Sequence, residues 1–171
     1  MTTTGYDTAD FNTWPELSKS ILLLLMFFGA CAGSTAGGLK ISRVLLLLKM
    51  LRRDLKRMLH PRSVGVVQFE GKTVPDSVLS GVGSYFVLYA GILLVAFLCL
   101  SFEPFGLETN LTAVISCFNN VGPGFGGVGP ASSYADYSAV SKMILSAAML
   151  FGRLEIYPLF FALSPSTWIK K

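Results

Sequence analysis

The chain has 171 residues, of which 52% are hydrophobic and only 14% are charged, and its mean hydropathy is +0.58. This composition is typical of a membrane protein and argues against a soluble domain with a single buried core.

Nine of the fourteen Lys and Arg residues fall between residues 40 and 72. Because basic residues accumulate on the cytoplasmic side, this stretch is predicted to be cytoplasmic, and the acidic segments 1–17 and 101–137 to lie outside. The most basic run, "KMLRRDLKRMLHPR" at 49–62, lacks aromatic residues on which bases could stack, so we expect no nucleic-acid partner.

The first apolar segment is too long for a single crossing. Residues 17–48 would form a straight helix about 48 Å long, whereas the hydrocarbon core is about 30 Å thick. The run of small residues "GACAGSTAGG" at 29–38 lies within it. The span therefore either ends near Gly38 or is broken inside the membrane. An alternative is a continuous, tightly packed helix, because Gly29, Gly33 and Gly37 have the GxxxG spacing.

Two crossings are predicted in the remainder of the chain. The linker, residues 61–75, contains "SVGVVQF", "EGK" and "TVP" and predicts a short cytoplasmic β-hairpin. Residues 76–102 form a predicted outer helix, within which 78–102 carries no charge. Residues 110–119 are apolar but too short to cross and lead into "NNVGPGFGGVGP", which indicates a re-entrant pore helix followed by a loop at 120–124. An inner helix at 138–163 crosses inward, which gives three crossings with the N-terminus outside and the C-terminus cytoplasmic.

An internal repeat links the two halves of the chain. With a shift of 123 residues, "SKSILLLLMFFG" at 18–29 lies on "SKMILSAAMLFG" at 141–152, and seven of the twelve positions are identical. A shift of 117 residues places "TTGY" at 3–6 on "NVGP" at 120–123 and matches Gly5 with Gly122. The chain is therefore predicted to hold two copies of one pore motif, the first in residues 1–60 and truncated at its start, the second in residues 76–171 and complete.

A helix, a short re-entrant helix, a glycine-bearing loop and a second helix form the repeat of potassium-type pores, in which loop carbonyls replace the hydration shell of the ion. Such a loop needs a residue that can adopt positive φ, which explains the glycine. Either loop taken singly would also fit an ordinary turn. The predicted fold class is thus an all-α membrane protein of channel-like repeats with re-entrant filter loops.

The segments "TTTGY", "GACAGSTAGGLK", "NNVGPGFG" and "GRLEIYPLF" together resemble the Trk/Ktr potassium transporter family, and in particular its bacterial Trk-type branch. The resemblance covers essentially the whole chain. Members of that family have four pseudo-repeats around one pore, and this chain is similar to the end of the third repeat and all of the fourth. The resemblance therefore implies a C-terminal fragment of a potassium uptake protein.

The resemblance also implies which residues act. The filter residues would be Thr3, Thr4 and Gly5 in one segment and Asn120, Val121 and Gly122 in another, with potassium held at Thr3, Thr4, Asn120 and Val121 and no organic cofactor. A small-residue loop would obstruct the pore below the filter, near an arginine of the last inner helix. The implied gate residues are Gly29, Gly33, Ser34, Thr35, Gly37, Gly38 and Arg153.

The position of Arg153 supports this role independently. The repeat alignment places Arg153 in register with Ala30, where the small-residue loop begins. An arginine near the membrane midplane is costly and is expected to face water or a partner, and the carbonyls of a broken helix could serve. An interhelical salt bridge or a snorkelling side chain is the alternative.

The resemblance further implies a homodimer in the bacterial inner membrane, in contact with lipid and docked on a cytosolic nucleotide-binding regulatory subunit. The basic surface at 49–62 is a candidate docking face. A competing hypothesis is a non-conducting interaction module that oligomerises through a GxxxG helix. A third is an open reading frame that starts at an internal Met. No nucleophile, base and orienting group can be assembled, so an enzyme is not expected.

Overall fold

The computed structural model describes residues 3–29, 37–60, 65–69 and 71–154. Within these ranges the chain forms α-helices joined by loops, short 3-10 turns and one small sheet. The helices are α1 (Glu16–Phe27), α2 (Ile41–Leu59), α3 (Asp76–Leu100), α4 (Leu107–Phe118) and α5 (Ala139–Arg153), and the strands are β1 (Gln68–Phe69) and β2 (Lys72–Thr73).

Helix α3 corresponds to the predicted outer helix. It follows Pro75 and carries Asp76 in its first turn, where an acidic residue favours a helix N-terminus. By length and composition it is the one helix among the described residues that could cross a membrane, with 25 residues and a mean hydropathy of 2.2. Helices α1 and α5 have 12 and 15 residues, fewer than the about 20 that a full span needs. The count of three crossings stays a prediction.

The first apolar segment is broken. Helix α1 ends at Phe27 and α2 begins at Ile41. Phe28 and Leu39 form an isolated parallel bridge, in which the Gly29 N–H donates to the Leu39 carbonyl at 2.9 Å and the Leu39 N–H to the Phe27 carbonyl at 3.2 Å. The chain therefore leaves α1 and returns beside its point of departure. A continuous GxxxG helix is wrong for Gly29 and Gly37, which lie outside the helices, while Gly33 is outside the described residues.

The linker region packs between α2 and α3. Strands β1 and β2 pair antiparallel, with Gln68 opposite Thr73 and Phe69 opposite Lys72. The Lys49 ammonium donates to the Gln68 carbonyl at 2.7 Å. Beneath this pair, a small apolar cluster joins the linker to both helices through Leu46, Val67, Leu79 and Val82. The basic helix α2 is thus fixed against the base of α3.

Helix α4 lies at the centre of the fold. Every residue from Thr109 to Asn119 is buried except Leu111, which is partly exposed. One apolar cluster packs it against α3 and α5, and another packs it against α1. The helix begins at Leu107, after an extended Gly106, rather than at Asn110. Polar residues fill this first turn, so the apolar pattern alone placed the start too late.

Helix α5 is tied to the end of α3 through a carboxylate. Glu103 Oε1 accepts hydrogen bonds from the Ser141 hydroxyl at 2.6 Å and the Ser138 N–H at 3.2 Å. Hydrogen bonds from Ser138 and Ser141 hold the pKa of Glu103 below its usual value. The described part of α5 ends at Arg153, and its predicted continuation to residue 163 lies beyond the described residues.

Candidate functional site

The chain reverses at the end of α4 and runs back beside it. Hydroxyl side chains spaced along one face of α4, together with one of its carbonyls, hold the returning backbone. The contacts are Val121 N–H to Ser116 O at 2.9 Å, Ser116 Oγ to Pro123 O at 2.8 Å, Phe125 N–H to Thr112 Oγ1 at 3.0 Å and Gly127 N–H to Thr109 Oγ1 at 3.2 Å. The sequence reasoning missed these hydroxyls, although their spacing of three and four residues is that of a single helix face.

Two loops in the chain share an unusual backbone conformation. Residues 3–5 are named here the first loop and residues 120–122 the second loop. Thr3 and Asn120 have φ values of 52° and 55° and are the only non-glycine residues with positive φ among those described. Gly5 and Gly122 follow with φ values of 77° and 112°. The positive φ predicted for both glycines is confirmed, and the repeat shift of 117 residues also aligns Thr3 with Asn120.

The two loops lie side by side. A Cβ atom at Gly122 would lie 3.6 Å from Gly5 Cα, and a Cβ atom at Gly5 would lie 3.1 Å from the Val121 carbonyl oxygen. Nearby, the rings of Phe11 and Phe125 pack edge to face with centroids 5.4 Å apart. The fold thus brings all six predicted filter residues into one place, beside a cleft of about 280 Å³ lined by the first loop, Val121 and Pro123.

Some of the carbonyl oxygens in the second loop are already bonded. The Gly122 carbonyl accepts a hydrogen bond from the Tyr134 hydroxyl at 2.8 Å, and the Pro123 carbonyl accepts the bond from Ser116. Among the described residues, nothing donates to the carbonyls of Asn120 and Val121. The protein therefore anchors one end of the loop. Tyr134 lies in a 3-10 turn without a periodic pattern, so this contact could not be predicted from the sequence.

The ends of the small-residue segment meet in a narrow neck formed by Gly29, Gly37 and Gly38. A Cβ atom at Gly29 would lie 2.5 Å from the Gly37 carbonyl oxygen. A Cβ atom at Gly37 would lie 2.8 Å from the Asn119 carbonyl oxygen and 2.8 Å from Asn120 Nδ2. Gly38 has a φ of 84°, and its Cβ atom would lie 2.8 Å from Asn119 Oδ1. The neck is pressed against the end of α4, where only glycine fits.

Two asparagines join this neck to the helices. The Tyr89 hydroxyl donates to Asn119 Oδ1 at 2.7 Å, and Asn119 Nδ2 donates to the Ile115 carbonyl at 2.9 Å. Asn120 Nδ2 donates to the Met149 carbonyl at 3.2 Å. The sequence reasoning assigned Asn120 a carbonyl role only and missed Asn119, although the pair "NN" directly precedes the second loop.

Arg153 is the last residue of α5 and is exposed on the surface of the chain. Within the described ranges it makes no hydrogen bond or ion pair. Its neighbour Gly152 faces the end of α4, where a Cβ atom would overlap the Phe118 carbonyl oxygen and lie 3.2 Å from Asn120 Nδ2. Gly37 approaches the same amide, so Gly152 and the neck both contact Asn120, and Arg153 is the next residue after Gly152. Gly33, Ser34 and Thr35 fall in the gap at 30–36, so contact between Arg153 and them stays a prediction.

A protein-family model described as TrkH, cation transport protein, matches residues 1–170. The chain belongs to this family. The Trk system potassium uptake protein TrkH of Vibrio parahaemolyticus is 40% identical over 167 residues, and that of Escherichia coli K12 is 38% identical over 167 residues. Each alignment covers 98% of this chain and 34% of the relative. The chain thus spans about a third of the length of the curated relatives it matches.

A solved structure of a TrkH family member agrees with the fold. The crystal structure of the potassium transporter TrkH from Vibrio parahaemolyticus superposes with a TM-score of 0.86 at 39% identity, and covers 98% of this chain and 36% of that one. The agreement supports an all-α membrane protein fold and confirms the resemblance found in the sequence.

Proposed function

We propose that this chain supplies two filter segments and a gating segment of a potassium uptake protein. One observation carries the proposal: two loops related by an internal repeat adopt the same left-handed conformations and lie against each other. The relatives named above are potassium uptake proteins. An ordinary turn would have no reason to pack at van der Waals distance against a second turn of the same conformation.

The chemistry rests on backbone oxygens. In a regular strand, successive carbonyls point to opposite sides of the chain. When residues of left-handed conformation alternate with residues of negative φ, successive carbonyls can instead point to the same side. The carbonyls of Thr3, Thr4, Asn120 and Val121 would then replace water around a dehydrated potassium ion. Because a ring of such carbonyls is needed around the ion, the remaining segments would come from the rest of the full-length protein.

The contacts of the neck at Gly29, Gly37 and Gly38 support a role for this segment as the gate. It lies against Asn119 and Asn120, and Asn120 is also the first residue of the second loop. The small-residue segment of the sequence between Gly29 and Gly37, together with Arg153, would obstruct the path of an ion leaving the loops. Gly33, Ser34 and Thr35 belong to this proposed gate. Such an obstruction would hold ions back until the segment moves.

Ion flux tests the proposed function. The full-length protein, reconstituted in liposomes, should take up rubidium, and external potassium should compete while sodium should not. Absence of uptake, or equal competition by sodium, would overturn the proposal. The same assay excludes the alternative of a non-conducting oligomerisation module, which would give liposomes no permeability at all.

Replacement of Arg153 by alanine should raise rubidium flux about fivefold, the change in gate population that the loss of about 1 kcal/mol produces. The guanidinium group of arginine can donate hydrogen bonds to the free carbonyls of a broken helix, whereas the side chain of alanine cannot. Lys72→Ala, which removes the same charge from the exposed strand β2, is the control and should leave flux unchanged. An unaltered flux in Arg153→Ala would exclude the residue from the gate.

The partners remain part of the proposal. A homodimer in the bacterial inner membrane would leave the basic helix α2 on the cytoplasmic side, where basic residues are favoured. Its exposed Arg52, Lys56 and Arg57 form a surface on which a cytosolic nucleotide-binding subunit could dock. The N-terminus would then lie outside and the C-terminus inside.

A further inference from the structure

Helix α4 is fixed at both ends by the same kind of buried hydrogen bond. At its N-terminal end, the Tyr137 hydroxyl donates to Asn110 Oδ1 at 2.9 Å. At its C-terminal end, the Tyr89 hydroxyl donates to Asn119 Oδ1 at 2.7 Å. The exposed fractions are 4% for both tyrosines, 2% for Asn110 and 1% for Asn119. In each pair the amide nitrogen also donates to a backbone carbonyl, that of Phe105 or Ile115.

The two pairs differ in which residues contact the asparagine. The amide oxygen of Asn119 faces Gly38 so closely that a Cβ atom there would lie 2.8 Å from it, and the Asn119 carbonyl has the same distance from a Cβ atom at Gly37. The amide of Asn119 is therefore the surface on which the neck of the small-residue segment is seated. The Asn110 pair lies at the opposite end of α4 and touches no part of this neck.

We propose that Tyr89 and Asn119 form a latch that seats the glycine neck beneath the second loop, and that this latch sets how often the pore is open. Tyr89 acts as a positioning residue, because it reaches the neck only through Asn119. This inference rests on the proposed function, since an opening can be measured only in a pore that conducts.

The latch works through the orientation of one amide. Asn119 Oδ1 accepts a hydrogen bond from the Tyr89 hydroxyl, and Nδ2 donates one to the Ile115 carbonyl. The two bonds together fix the orientation of the amide group. Without the Tyr89 hydroxyl, a buried oxygen would lose its donor, and burial of an unpaired acceptor is unfavourable. The amide would then rotate to find another donor and would withdraw the surface that Gly38 contacts. The neck would then separate from Asn119 more often.

The test compares Tyr89→Phe with Tyr137→Phe in the full-length protein in liposomes. Tyr89→Phe should raise rubidium flux about fivefold, as loss of one ordinary hydrogen bond from the closed state predicts. Its preference for potassium over sodium should stay within about twofold of the parent, because the bonds from Val121 to Ser116 and from Tyr134 to Gly122 remain. Tyr137→Phe removes an equivalent bond and should lower the melting temperature similarly, yet leave flux unchanged.

A double variant distinguishes an effect on the neck from a general loss of stability. If Tyr89 acts through the seat of Gly38, Tyr89→Phe should add nothing to the flux of Gly38→Ala, because coupled sites are not additive. Equal flux changes in the two tyrosine variants, an unchanged or lower flux in Tyr89→Phe, or multiplicative effects in the double variant would overturn the latch. If the parent protein itself carries no rubidium, the proposed function fails instead, so the two failures are distinguishable.

Discussion

Replacement of Gly122 by alanine should abolish the preference for potassium over sodium. Gly122 has a φ of 112°, and its Cα faces the backbone of the first loop, with a Cβ atom 3.6 Å from Gly5 Cα. An L-residue held in a left-handed conformation costs about 1–2 kcal/mol, and it would relax by turning the adjacent carbonyls away. Because those carbonyls are the proposed ligands, the ratio of rubidium to sodium flux in liposomes should fall toward one.

Gly71→Ala is the matched control for this change. Gly71 lies in the turn between β1 and β2 with a φ of 77°, and apart from its own residue and its two chain neighbours nothing lies within 4 Å of a Cβ atom there. The variant therefore has a similar backbone cost but leaves both loops untouched. Its flux ratio should equal that of the parent. A Gly122→Ala protein that keeps the parent ratio would remove the second loop from the filter.

Replacement of Gly38 by alanine should open the pore. Gly38 combines a φ of 84° with a Cβ position 2.8 Å from Asn119 Oδ1, so alanine would meet backbone strain and a steric overlap together. The neck can relieve both only by leaving the end of α4. A cost of at least about 1.4 kcal/mol corresponds to roughly a tenfold rise in rubidium flux.

Selectivity separates this prediction from the first. Gly38→Ala should conduct more but still prefer potassium, because the bonds that hold the second loop to α4 do not involve the neck. Gly71→Ala again serves as the control and should show parental flux. Reduced flux in a folded Gly38→Ala protein would contradict a neck that closes the pore.

The broken helix and the paired loops could be predicted from the sequence because each rests on local information. A segment of 32 residues is too long for the membrane, and its small residues mark the break. The shift of 117 residues aligned Gly5 with Gly122 without any structure. Residue spacing and the conformational freedom of glycine left an alternative open in each case, and the resemblance to the Trk/Ktr family favoured the broken helix and the filter loops.

The contacts that hold the site could not be predicted in this way. Tyr89 and Asn119 are 30 residues apart, and the spacing within either helix does not indicate that they meet. The neck contacts the end of α4 because two distant segments pack together, which a single sequence does not encode in any local pattern. The start of α4 was missed for another reason, since its first turn is polar yet contains buried residues.

The position of the ion tests the central claim most directly. In crystals of the full-length protein grown in rubidium, anomalous scattering should show an ion beside the carbonyls of Asn120 and Val121 and those of Thr3 and Thr4, and a sodium-grown crystal should not show that arrangement of ligands. Rubidium bound elsewhere, with no density at the junction of the two loops, would contradict the proposal that these loops form the filter.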